Sequence, residues 1–322
     1  MKKLNHLNNY LSFIRPDYYP QYIFTENIKL KMSGNIPVYR QMIVFVRKAI
    51  EMFDNESKNE IFRFIASQQN DDGGFADRGG RSDLYYSLFG GLMIGAWNVE
   101  TEDGRPETGE PIDGAILRLQ QFIARQSNAE ISGFIEKCCL VLLQKELKIG
   151  RNSQIKALIS LGKSFWKERC SINISYRSFV LFLTLDAIFP FRQILKIGAK
   201  RMLTRTTVDQ HSPCSELAAK VFLCKWLNQD GTTEQELLKS FTCATGGFRA
   251  FLHLEQPDML STAVALFALD FAGSDLRLLK PANLDFIQQN FVDGAFLSGD
   301  GDQTADLEYT FYGLLALGVL AD

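Results

Sequence analysis

Arg78 and Arg81 flank Gly79-Gly80 just before a helix-like run that opens at Asp83. A glycine-rich loop with two guanidinium groups at a helix N-terminus can clamp a diphosphate. The plainer reading is a surface ion pair with Asp77. A second cluster is acidic: Asp300, Asp302, Asp306 and Glu308 lie close together near the end of the chain. A carboxyl group kept neutral by its surroundings can donate a proton. The plainer reading makes Asp306, like Asp83 and Asp258, a helix N-cap contributing about 1 kcal/mol. Glu308 is then a first-turn acid that suits the helix dipole, and Asp300 and Asp302 are solvated acids of a Gly-rich turn. Tyr85, Tyr86, Tyr309 and Tyr312 neighbour these groups in sequence. They either line a cavity and orient the acid, or pack as core aromatics.

The elements that must position these groups follow one grammar, stated three times. The first copy runs Gln68-Gln69-Asn70-Asp71-Asp72-Gly73-Gly74-Phe75, then Asp83 and the apolar run from Leu84 to Leu92. The second has Gly246-Gly247-Phe248, then Asp258 and the run from Met259 to Leu266. The third has Gln288-Gln289-Asn290, Asp293-Gly294-Ala295-Phe296, then Asp306 and the run from Leu307 to Leu315. Each copy reads as an outer helix closed by Gln-Gln and a turn made where glycine accepts a positive φ. A Phe then packs back on the core, and an Asp caps the next helix. That helix is apolar nearly all round, which predicts burial as an inner helix. Between residues 110 and 235 the helical pattern continues while the turn signature fades. Ser175-Tyr176-Arg177-Ser178-Phe179 and Ser215-Glu216-Leu217-Ala218-Ala219 look like degenerate inner-helix starts. Residues 98–113 read as a surface loop, and residues 1–40 as a capping extension. Ten to twelve helices are expected over this length.

Bulk properties agree with one domain over 1–322. The 322 residues are 46% hydrophobic and 22% charged, which is enough apolar material for a core. The net charge of −2 gives no global basic field for nucleic acid. The 25 Phe and 10 Tyr supply a Phe-rich core or the wall of a cavity for a long apolar ligand. Six cysteines show no CxxC spacing, and a reduced, cytoplasmic protein is expected. The apolar run from Phe179 to Phe191 is interrupted by Asp186 and Pro190 and is too short to span a bilayer. The basic stretch from Lys196 to Arg205 is either a patch for the anionic inner face of a membrane or a solvated helix face.

The Gln-x-x-Asp-Gly-Gly-Phe-then-Asp pattern resembles the repeat of protein prenyltransferase β-subunits and squalene cyclases. The likeness is clearest over residues 60–97 and 240–320. It implies an all-α fold, an α/α toroid (α6/α6-type barrel) of paired helices around a central apolar cavity that accepts an isoprenoid or polyene lipid. The zinc transferases of the family carry Asp-x-Cys at one inner-helix start; here the positions read Asp258-Met259-Leu260. Their histidine position reads Tyr86 or Tyr309, and Leu252 and Glu255 stand where they hold diphosphate with Lys and Arg. No zinc is therefore expected, and no other cofactor, with Mg²⁺ called for only if the ligand is a diphosphate. The class II terpene cyclases of the family protonate an alkene or epoxide with an acid at an inner-helix start. The repeat register places Glu308 there, beside Asp306, while the letters Asp300-Gly301-Asp302-Gln303-Thr304-Ala305 place Asp302. The expectation is a metal-independent class II-like cyclase or a transferase of this family. The alternative is a toroid without chemistry that binds a lipid or another protein. The sequence names no partner subunit.

Overall fold

The structure is a computed structural model that describes residues 36–97, 110–126, 131, 133–149, 151–168, 174–188, 192–205 and 207–321. Thirteen helices occur among the described residues. They are α1 (Val38–Met52), α2 (Asn55–Ser67), α3 (Leu84–Trp97), α4 (Glu110–Gln126), α5 (Phe134–Glu146), α6 (Arg151–Glu168) and α7 (Ile174–Ile188). They continue with α8 (Arg192–Arg205), α9 (Cys214–Trp226), α10 (Thr232–Lys239), α11 (Met259–Ala272), α12 (Lys280–Gln289) and α13 (Leu307–Val319). Two short antiparallel ribbons, β1 (Phe75–Ala76) with β2 (Ser82–Asp83) and β3 (Phe291–Val292) with β4 (Ala295–Phe296), join outer to inner helices.

The odd-numbered helices from α3 to α13 form an inner ring, packing in the order α3, α5, α7, α9, α11, α13 and back to α3. The even-numbered helices from α2 to α12 lie outside it, one before each inner helix. Twelve helices thus pair off in an all-α toroid. The thirteenth is α1, one more than the sequence grammar provides, because it belongs to no repeat.

The repeat works through three contacts that recur with the same spacing. Phe75, Phe248 and Phe296 are completely buried. Each is held by its own backbone: its N–H donates to Ser87 Oγ (2.9 Å), Thr262 Oγ1 (2.8 Å) and Thr310 Oγ1 (3.2 Å) respectively. Each hydroxyl stands four residues after the Asp of its copy, so one turn of helix sets the distance. The turn glycines lean on the next outer helix. A Cβ on Gly73 would fall 2.2 Å from Arg118 O of α4, and one on Gly246 1.9 Å from Ala282 O of α12. A Cβ on Gly294 would fall 2.4 Å from Glu60 O of α2, which closes the ring from last copy to first.

Helix α1 crosses one end of the ring, where the inner helices finish. Its N-terminal amide, Val38 N, donates to Asp186 Oδ2 of α7 at 2.9 Å, and Arg47 Nε donates to Ala96 O of α3 at 3.1 Å. Gly318 of α13 lets the backbones meet, since a Cβ there would fall 1.9 Å from Phe45 O. Of the expected capping extension, residues 38–40 are the first turn of this floor helix, and residues 1–35 lie outside the described residues. The loop expected over 98–113 ends earlier than its composition suggested: Glu110 to Asp113 begin α4, and residues 98–109 lie outside the described residues. Pro111 falls in the first turn of α4, where a missing N–H costs no helical hydrogen bond. No helix among the described residues is long and apolar enough to cross a membrane.

Candidate active site at the mouth of the central cavity

The inner helices present one stripe each to the ring centre, at i, i+3, i+4 and i+7. On α3 the stripe is Tyr85, Leu88, Phe89 and Leu92; on α9 it is Ser215, Ala218, Ala219 and Phe222. These stripes enclose an apolar cavity of about 100 Å³, floored by Tyr39 and Met42 of α1. That is smaller than the ~150 Å³ cavity that holds one benzene ring. Phe179, Phe267 and Phe311 complete much of the wall.

The second residue after each Asp cap heads its stripe. After Asp83 it is Tyr85, and after Asp258 it is Leu260; both line the cavity. After Asp306 it is Glu308, which stands just outside the cavity lining, one turn from Phe311 and Tyr312 and two from Leu315, which line the same cavity on α13. Among these three heads, Glu308 alone is acidic. Tyr85 Oη donates to Glu308 Oε1 at 2.6 Å, across the seam where the first repeat meets the last. Burial raises the Glu308 carboxyl above its ordinary range; the Tyr85 hydrogen bond opposes that shift and the neighbouring Asp306 adds to it. The group therefore keeps its proton to higher pH than a solvated glutamate.

Asp306 is both a cap and an anchor. Its Oδ1 accepts from Tyr309 N (2.8 Å), and its Oδ2 accepts from Arg78 Nε (2.8 Å). Arg78 Nη1 donates to Asp302 Oδ2 at 2.9 Å, and its guanidinium carbon lies 5.4 Å from the centre of the Tyr309 ring. The structure thus brings Arg78, Asp302, Asp306 and Tyr309 together beside Glu308. Arg81 is not among them: it stays largely exposed, 3.9 Å from Asp77 Oδ2. Asp302 sits at the rim, where the Thr304 backbone amide and then Arg78 hold its carboxyl below the ordinary range. A carboxylate so held is ionised at neutral pH and stores no proton. Burial pushes Tyr86 and Tyr309 up to about 12, so both stay hydroxyl donors. Tyr312 is buried, lines the cavity and packs on Phe89 and Phe311.

One further acid escaped the sequence reading as more than a cap. Asp258 Oδ1 accepts from Ser261 N at 2.8 Å, while Oδ2 is buried with no hydrogen-bond partner among the described residues. Burial raises its carboxyl above the ordinary range. Its distinction from Asp83 and Asp306 is invisible in the shared letters of the repeat. The opposite end of the cavity has its own polar set. Arg40 Nε donates to Tyr39 Oη (3.1 Å) and lies 3.5 Å from Glu146 Oε2, and burial pushes Tyr39 up to about 12. Among the described residues, no three His, Cys, Asp or Glu side chains are grouped to hold a metal ion.

No protein-family model matches the chain, and no curated protein sequence matches it. Among solved structures it is similar to the type II terpene cyclase MstE from Scytonema in its apo form. The TM-score is 0.53 at 12% identity, over 86% of this chain and 98% of that one. The likeness is one of fold: this chain has a terpene-cyclase-like toroid.

Proposed function

We propose that the protein is an acid-initiated, terpenoid-cyclase-like enzyme in which the aromatic wall of the small central cavity parts to admit an isoprenoid chain and Glu308 protonates it. The observation that carries this reading is the 2.6 Å hydrogen bond from cavity-lining Tyr85 to half-buried Glu308, one turn from the cavity residues Phe311 and Tyr312. In the step proposed, the alkene π pair takes the Glu308 proton and forms a C–H bond. Positive charge then rests on the more substituted carbon, faced by the π clouds of Phe89 and Phe311. The Glu308 carboxylate left behind is stabilised by the Tyr85 hydroxyl. The chain closes by attack of a second alkene on the cation; the product cation then loses a proton from carbon to water, and Glu308 takes a proton back from solvent before the next turnover. Asp302 and Asp306 hold Arg78 rather than act as donors in this reading. With Arg78 neutralised by those two carboxylates, a diphosphate is not required, and Mg²⁺ enters only for a ligand that carries one.

A second reading is favoured by one observation. At about 100 Å³, and walled by Phe179, Phe222, Phe267 and Phe311, the cavity suits a small apolar ligand held without turnover. Incubation with farnesyl diphosphate, geranylgeranyl diphosphate, squalene and oxidosqualene, with and without Mg²⁺, separates the readings when products are analysed by gas chromatography–mass spectrometry. A cyclised product that Glu308→Gln abolishes is expected. An unchanged product profile in that variant would remove Glu308 from the mechanism, and no product from any substrate would favour the binding module.

A further inference from the structure

The charge of this chain is unevenly placed. Residues 151–205 carry eleven Lys and Arg against two acids, Glu168 and Asp186, a net of +9. The other residues carry the remaining 24 cations against 35 acids, a net of −11. Of the two acids in the basic segment, Asp186 is buried under α1, where it accepts from Val38 N. Helix α8 itself has no acid.

The same segment exposes large aliphatic side chains. Helix α6 packs on α5, and α8 packs on α7 and α9, so the two occupy neighbouring places in the outer ring. On α6, Ile155 is 47% and Ile159 56% exposed, and Lys156 and Lys163 are exposed beside them. On α8, Ile197 is 59% exposed and shares its helix face with exposed Lys200, Arg201 and Thr204. Isoleucine among lysines offers a polyanion nothing, while a lipid surface can use both: acyl chains bury the isoleucines and anionic headgroups meet the cations.

We propose that the α6–α8 face docks on an anionic lipid surface, with Ile155, Ile159 and Ile197 entering the headgroup boundary and Lys156, Lys163, Lys200 and Arg201 pairing with headgroups. The proposal is independent of the reading of the central cavity. Charge complementarity selects the occupant, since the rest of the molecule is acidic and is repelled by the same surface.

The test is co-sedimentation of the full chain with vesicles of phosphatidylcholine alone and of phosphatidylcholine mixed with phosphatidylglycerol, at low and high salt. Wild type is expected to pellet with the mixed vesicles and not the neutral ones. Each headgroup-facing cation adds on the order of fivefold to partitioning. Lys200→Glu with Arg201→Glu should therefore lose the preference for anionic vesicles. Ile155→Ser, Ile159→Ser and Ile197→Ser together keep every charge and should cut vesicle binding by about tenfold or more. Circular dichroism of both variants confirms that exposed substitutions leave the fold intact. Equal pelleting with neutral vesicles would overturn the proposal. So would tight binding of duplex DNA or RNA that the isoleucine variant leaves unchanged, which would make the face a nucleic-acid surface.

Discussion

Glu308 is the residue on which the proposed chemistry turns, and its protonation has consequences that need no substrate. Its carboxyl sits above the ordinary range because burial disfavours the charged form. The folded state therefore binds this proton more tightly than the unfolded state. Between the two pKa values the native chain holds more protons, so stability falls as pH rises through that window and is greatest below it. Asp258 carries the same sign. Glu308→Gln removes one such group. The variant is expected to lose less stability than wild type as pH rises above the ordinary glutamate value of 4.5, read as Tm at each pH. A Tm difference independent of pH would mean that Glu308 ionises freely in the folded protein. Tyr85→Phe acts in the opposite sense from the usual loss of a hydrogen bond. Tyr85 stabilises the ionised form, so its removal raises the Glu308 pKa further. The pH at which turnover falls by half should move upward in Tyr85→Phe, with a lower plateau because the product carboxylate has lost its donor. A limb that stays in place would detach Tyr85 from the acid.

At the scale of elements, the letters of the repeat carried the architecture because each does a local job. Asp83, Asp258 and Asp306 cap α3, α11 and α13 through the backbone amides that follow them. Phe75, Phe248 and Phe296 fill the gap between outer and inner helices. What stayed hidden is the hydroxyl that holds each Phe, since Ser87, Thr262 and Thr310 read as ordinary residues of an apolar helix. Their role appears only when the helix is folded and the fourth residue after the cap returns to the preceding turn. Removing that hydroxyl should be costly. Thr262 is fully buried, and Thr262→Val keeps the shape while leaving Phe248 N–H without its 2.8 Å partner. A buried amide left unpaired costs about 1–3 kcal/mol. Urea unfolding should show that loss in Thr262→Val and recover most of it in Thr262→Ser. The glycine turns allow a second check. Gly294 has φ +81° and no room for a Cβ against Glu60. Gly294→Ala therefore combines backbone strain with a clash at the seam of the ring, and should cost more than Gly80→Ala, which also has a positive φ but open space around it.

For the whole molecule, the pairing that defines the candidate site lies beyond the reach of spacing. Tyr85 and Glu308 meet only because the last repeat closes on the first, and nothing local in either segment encodes that. The floor is equally silent: α1 has no repeat signature and is fixed by long-range contacts to α7, α3 and α13. Closure also sets the size of the cavity, and here the aromatic wall decides. Phe222 lies across the cavity wall, stacked 4.2 Å from Phe271 and 6.0 Å from Phe267. Truncating it removes a buried ring and leaves a void. A buried Phe→Ala change typically costs 3–5 kcal/mol, about the range expected for Phe222→Ala. The void is continuous with the cavity, so an apolar chain that enters it restores lost contacts. A ligand at about 100 times its dissociation constant stabilises the folded state by about 2.7 kcal/mol. Farnesol should therefore raise the Tm of Phe222→Ala by more than it raises that of wild type, where the rings leave less room. An equal rise in both would mean that the wild-type rings already part for a fifteen-carbon chain. A rise in neither would place the ligand's entry elsewhere than the Phe222 wall, and would count against a cavity that the aromatic side chains alone keep small.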